Sequence, residues 1–189
     1  MFNEIINSGF GFGILLVAIT FLYSFNFMSV TSVSREGENA LFMKYIPIPL
    51  SRQYKYKAIP GIIINLVPLI YVLVILKIFF TEIGLFFYLQ IILVSLLCNI
   101  LINYFSVIID VLKPKLHWSS EYAVVKQNIN MLYSFVLCLL LMGIFIGVAS
   151  YIDNVTILTS VLSAVMVLLL IVFEIFLKKY EHQIFKKIS

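Results

Sequence analysis

Apolar residues fill five long stretches of this chain, and polar residues collect in the intervals between them. The stretches cover about residues 13–30, 59–80, 84–109, 131–152 and 155–177. Each is near the ~20 residues that a helix needs to cross the hydrocarbon core of a bilayer. The pattern predicts an all-α, polytopic membrane protein. It has about five transmembrane helices in a single domain over residues 1–189, with amphipathic helices in the connections at about 31–58 and 110–130.

The first connection is the most polar long segment. Ser34 suits an N-cap, and Glu36 and Glu38 fall in the first turn, where negative charge complements the helix dipole. Leu41, Phe42, Tyr45 and Ile46 then recur on one helical face, and Pro47 and Pro49 stop the helix. The result is a short amphipathic helix at the membrane surface, read either as a solvated connector or as a docking helix for a soluble partner. Tyr54-Lys55-Tyr56-Lys57 reads as an aromatic and basic interfacial anchor before the second span. In the second connection Pro114 breaks the third helix, and Trp118 suits the interface. Ser119 or Ser120 caps a new helix that carries Glu121 and continues into the fourth span. Gly9, Gly11 and Gly13 alternate with Phe10 and Phe12 and read as a flexible lead-in to the first span.

Composition sharpens this picture. Hydrophobic residues make up 62% of the chain, charged residues 12%, and the mean hydropathy is +1.09. The ~45–50% apolar content of a soluble domain is far exceeded. The net charge of +4 lies in the connections, so it speaks to orientation and not to nucleic-acid binding. Lys and Arg crowd the connections at 31–58 and 110–130 and the tail, while the turn after the second span has Lys77 alone and the Asp153-Asn154 turn has none. The expected topology is an outer N-terminus and a cytoplasmic C-terminus in the cell membrane. No basic region precedes the first apolar run, so a cleaved signal peptide is not expected. Cys98 and Cys138 sit inside apolar runs, as buried small residues without disulfide or metal spacing.

Candidate chemistry is sparse. Ser95, Asn99 and Asn103, with Ser106 beyond, form a polar stripe on the third span, read as interhelical hydrogen bonding in preference to a substrate path. Asn65 and Pro68 suggest a kink in the second span. Gly143 with Gly147, and Ser160 with Ala164, read as helix-packing faces, with a dimer contact as the alternative. Glu174 suits an ion pair with Lys178 four residues on, against the alternative of a buried proton carrier. His117 reads as interfacial, and Asp110 beside Lys113 and Lys115 as an ordinary charge cluster. No catalytic arrangement, metal-ligand spacing or phosphate-binding loop is present in the sequence, so no enzymatic activity is expected.

Arg35-Glu36, then Leu41, Pro47 and Lys55 or Lys57, resemble the loop of the type-two exporter group of ATP-binding-cassette transporter permeases. The second connection, with Pro114-Lys115-Leu116, Trp118 and residues 123–128, looks like a subgroup of these permeases from low-GC Gram-positive bacteria. The resemblance implies a permease subunit, an exporter, whose partners are a cytoplasmic ATP-binding-cassette ATPase and a second permease half or second copy. It implies that ATP is used by the ATPase and that this chain binds no cofactor. Coupling to the ATPase would fall on Arg35, Glu36, Leu41, Phe42, Lys44 and Pro47. The group has six spans with both termini cytoplasmic. Five spans here correspond to its C-terminal portion, either of a longer permease or with the missing span on a separate chain. An apolar interior with a few amides suggests an amphiphilic cargo. The competing class is a membrane scaffold or assembly protein that moves no cargo. A lipid-modifying enzyme ranks last, with just Asp110, His117 and Glu121 to offer.

Overall fold

The computed structural model describes residues 6, 8–118, 120–126 and 128–187. Among these the chain is helical, without strands, and four helices are long and apolar enough to cross a membrane. It is a polytopic helical membrane protein. Helix α1 spans Gly9–Tyr23, α2 Leu50–Ile64, α3 Leu66–Phe79 and α4 Leu85–Leu112, and α2 and α3 together make one of the four spans, Ser51–Phe79. Helices α5, α6 and α7 span Glu121–Lys126, Asn130–Ala149 and Val155–Lys187.

Helix α4 is the hub. Half of its spanning window is buried, against 22–28% for the other long spans. Phe87, Ile91, Val94, Cys98 and Ile102 recur at three- and four-residue intervals and pack on Phe12, Leu16, Ile19 and Tyr23 of α1. Leu141 and Phe145 of α6 and Leu158, Leu162 and Met166 of α7 complete this core. A second apolar cluster joins Val33, Ala40 and Met43 to Tyr54, Ala58, Val107, Val111 and Leu177. It marks the basic end of the bundle, where the two long connections meet α7 around Leu177.

The first span departs from its expected form. Helix α1 ends at Tyr23, and residues 24–33 continue in turns where an unbroken helix to Val30 is expected. Fifteen residues of helix reach about 22 Å, short of the ~30 Å core, and the turns carry the chain the remaining distance. Non-helical backbone at such depth needs protein around it. The cause of the break therefore lies in what residues 24–33 touch.

Gly9 and Gly13 are not a flexible lead-in. They lie inside α1, where a Cβ on Gly9 would collide with the Ile152 carbonyl oxygen and one on Gly13 would come within 2.5 Å of Ala149 Cβ. Their small size lets α1 approach α6 and the following turn, and Gly9 N donates to the Asp153 carbonyl at 2.8 Å. Asn154 caps α7 by accepting from Thr156 N and Ile157 N. Gly143 and Gly147, the expected packing pair, would each have open space within 4 Å of an added methyl group, and both are exposed. Ser160 and Ala164 are exposed as well. Neither small-residue pair serves packing within the chain.

The 34–44 stretch also differs from expectation. It forms 3-10 turns broken at Gly37 (φ 55°), not an α-helix. Ser34 is not its cap; the residue at the cap position is Val33, and the Ser34 hydroxyl is engaged elsewhere. Gly37 accepts the positive φ that a side chain would resist, and it sits under Leu116 and Trp118 of the other connection. The expected helix after Ser119 or Ser120 is shorter than predicted. Helix α5 ends at Lys126, and Asn128 and Ile129 are non-helical before α6 begins. Ser119 lies outside the described residues.

Candidate functional site: a buried polar column along α4

Helix α2 stops at Asn65 and α3 starts at once, so two last-turn carbonyls of α2, Gly61 and Ile62, face the bundle interior. The Gly61 carbonyl accepts from Asn65 N at 3.1 Å, and both carbonyls take a further donor from a side chain. Asn26 Nδ2 donates to the Gly61 oxygen at 2.6 Å, and Asn99 Nδ2 donates to the Ile62 oxygen at 3.0 Å. Pro68 falls in the first turn of α3, where its missing N–H costs no hydrogen bond. The expected kink at Asn65 and Pro68 is a one-residue interruption of the 51–79 span, at which Asn65 keeps helical angles (φ −67°, ψ −13°) and amides from two other segments bond the polar groups.

These amides bond to one another. Asn26 Nδ2 also donates to Asn65 Oδ1 at 2.9 Å, and Asn65 Nδ2 donates to Asn99 Oδ1 at 2.8 Å. Asn103 Nδ2 donates to the same Asn99 oxygen at 2.7 Å, while Ser29 Oγ donates to Asn103 Oδ1 at 2.5 Å. Asn99 stands at the middle of α4, so the network lies at mid-span. It explains the turns at 24–33: they bring Asn26 and Ser29 to α4 and to the α2–α3 break. Gly61 permits this approach, since a Cβ there would collide with Ser29 Oγ and Asn103 Oδ1.

The column continues one turn at a time toward the basic end. Ser106 Oγ pairs with Ser134 Oγ of α6 at 2.7 Å. Asp110 follows, fully buried. Its Oδ2 accepts from Val33 N at 2.7 Å and Ser34 N at 2.8 Å, and its Oδ1 accepts from Ser34 Oγ and from Asn130 Nδ2 at 3.0 Å. A buried carboxylate is costly unless charge-assisted hydrogen bonds replace its water, and four donors do so here. Asp110 is thus no ordinary surface charge. Ser34 accepts in turn from Lys115 N at 2.9 Å and Asn128 Nδ2 at 3.3 Å, and its carbonyl accepts from Trp118 Nε1 at 3.0 Å. One carboxylate and one serine tie both long connections to the end of α4.

The remainder of the 34–48 stretch is fixed from α2. Gln53 Nε2 donates to the Met43 and Ile48 carbonyls, and Lys57 pairs with Glu36. Tyr54 is fully buried, and its hydroxyl donates to Glu174 of α7 at 3.1 Å. Glu174 also pairs with Lys55 at 2.5 Å, so it bridges helices instead of pairing along α7 with Lys178. The Tyr54–Lys57 run is accordingly a set of internal ties, with Tyr56 as its exposed aromatic.

The candidate coupling residues divide in two. Arg35 turns back, donating from Nη2 to the Met28 carbonyl at 2.9 Å and from Nε to the Thr31 carbonyl at 3.3 Å, and Glu36 is held by Lys57. Leu41, Phe42, Lys44 and Pro47 point outward. Leu41 and Phe42 make an apolar ridge with Tyr45 and Ile46; Phe42 is 63% exposed and Tyr45 81%. Of the stripe residues, Asn99 and Asn103 join the network, and Ser95 is buried with an unpaired hydroxyl. All three are closed off from the surface. His117 is exposed, 3.7 Å from Glu38, and both cysteines are free and buried.

Gln53, set in a basic stretch, and Asn26, Ser29, Asn130 and Ser134 escape a sequence reading, although each of the last four is a polar residue inside or beside an apolar run. That anomaly is the signal that could have found them. The column can join a surface segment mechanically to the mid-span interruption. Comparison of the chain with protein-family models, with curated protein sequences and with solved structures gives no match.

Proposed function

We propose that this chain is the membrane-spanning subunit of an ATP-binding-cassette transporter, working as an exporter with a separate cytoplasmic ATPase. The observation that carries the reading is the apolar ridge of Leu41, Phe42, Tyr45 and Ile46, exposed on a segment whose other side is anchored to the bundle. A partner gripping that ridge would move Ser34 and Asp110, and through α4 the mid-span amides at the α2–α3 break. Such a break is an element with two packings that nucleotide binding on the partner could bias. The basic end is then cytoplasmic and the Asp153–Asn154 turn external, in the cell membrane. ATP is used by the partner, and the transport path is completed by a second permease half or a second copy.

A second reading, a scaffold without cargo, draws on a specific observation: Ser95, Asn99 and Asn103 are all closed from the surface in this conformation. The test is detergent purification from native membranes with mass spectrometry of co-purifying proteins, using wild type, Phe42→Asp and Tyr45→Asp. Recovery of a nucleotide-binding ATPase that both variants lose supports the transporter subunit. A folded, abundant chain that brings no ATPase sinks that reading and leaves the scaffold.

A further inference from the structure

Away from the column, α4 and α6 leave an outward-facing groove of about 330 Å³ near the basic end. Ile109 and Leu112 form one wall, and Val136 and Leu140 the other. From Tyr133 to Leu140 the groove runs about 10 Å along the helix axis, roughly a third of the ~30 Å hydrocarbon core. Lys113 and Tyr133 stand at its mouth, with the ammonium 3.4 Å from the phenol oxygen and 5.0 Å from the ring centre. Among the described residues no carboxylate pairs with Lys113. An apolar slot within the membrane, closed at the headgroup level by an uncompensated cation, is complementary to one kind of molecule.

We propose that this groove binds an anionic phospholipid. An acyl chain lies between the α4 and α6 walls, and the phosphate meets the Lys113 ammonium. Tyr133 is the second donor, because its oxygen accepts from Lys113 and its own O–H remains available. A zwitterionic lipid would bring its own ammonium beside Lys113 and lose most of the attraction. A free phosphate would gain nothing from the apolar walls.

Native mass spectrometry of the full chain, released from micelles containing equal phosphatidylglycerol and phosphatidylcholine, tests this. Wild type should retain phosphatidylglycerol about fivefold over phosphatidylcholine, the factor one lysine's attraction to anionic lipid is worth. Lys113→Gln should abolish the preference, Lys113→Arg should keep it, and Arg52→Gln, at an exposed arginine outside the groove, should leave it unchanged. Leu140→Trp, which fills the groove while keeping Lys113, should lose the lipid and covers the case of a poorly folded Lys113→Gln. Millimolar glycerol 3-phosphate should not displace it. Equal retention of the two lipids by wild type would overturn the site. So would a preference that survives Lys113→Gln or Leu140→Trp, that Arg52→Gln lowers equally, or that glycerol 3-phosphate removes.

Discussion

Asp110 concentrates more hydrogen bonding than any other side chain in the polar column, and its removal should be correspondingly expensive. Asp110→Ala leaves the amides of Val33 and Ser34, the Ser34 hydroxyl and the Asn130 amide without their acceptor. Leaving a buried donor unsatisfied costs about 1–3 kcal/mol, and with four donors stranded thermal unfolding in detergent should show a loss of at least that order. Asp110→Asn keeps the volume but turns an NH2 group toward donors, so it should fall between wild type and Asp110→Ala. An Asp110→Ala variant as stable as wild type would mean that the two connections hold themselves. At mid-span the magnitudes are smaller. Asn65 and Asn99 share one direct bond, and such interhelical bonds are worth about 0.6 kcal/mol on average and about 1.7 at most. A double-mutant cycle of Asn65→Ala with Asn99→Ala should return a coupling in that range, at the upper part because Asn99 Oδ1 is shared with Asn103. Additive single losses would deny that the α2–α3 break and α4 act together.

At the scale of elements, the break in the first span and the break between α2 and α3 meet on one face of α4, and Gly61 is the point where they come closest. Gly61→Ala would drive a methyl into Ser29 Oγ and Asn103 Oδ1, and overpacking of this kind costs about 1–3 kcal/mol. Gly143→Ala, with open space around it, should be neutral or slightly stabilising, by up to about 1 kcal/mol. Paired melting curves check the contrast, and equal effects would remove Gly61 from its role. The same elements show what sequence can convey. Lipid exposure demands apolar residues on nearly every face of a span, so the stretches ending near Phe80, Ile109 and Ile152 are legible from length and hydropathy alone. The break at residues 24–33 is not, because a window average absorbs Asn26 and Ser29. Their partners, Asn65 and Asn103, lie 39 and 74 residues away. Asp110 passes for a surface charge for a related reason: it follows an apolar run directly, and nothing local says that the backbone of Val33 and Ser34 folds over it. The stripe of Asn99 and Asn103 is legible as hydrogen bonding, since four-residue spacing fixes a helix face wherever the partner comes from.

For the whole molecule, the two ends of the bundle differ in kind. One end carries both long connections and their lysines, knit by Asp110, Ser34, Gln53 and Glu174. The other is closed by short turns, with Gly9 N on the Asp153 carbonyl and Gln90 Nε2 on Thr156 Oγ1 at 3.3 Å. The apolar ridge at the basic end can meet a nucleotide-driven partner only if that end faces the cytoplasm, so orientation is the premise on which the transporter reading depends. Single cysteines decide it, because Cys98 and Cys138 are buried and should stay silent toward a membrane-impermeant maleimide. Asn39→Cys, exposed beside the ridge, should label in inverted vesicles and be protected in intact cells. Asn154→Cys should do the opposite, or Tyr151→Cys if loss of the α7 cap disturbs the fold; Tyr151 is 90% exposed. The reverse pattern would place the ridge outside the cell, away from any ATP-driven subunit. The lysine bias would then have to be overridden by a further segment, and the column would transmit signals from the exterior instead.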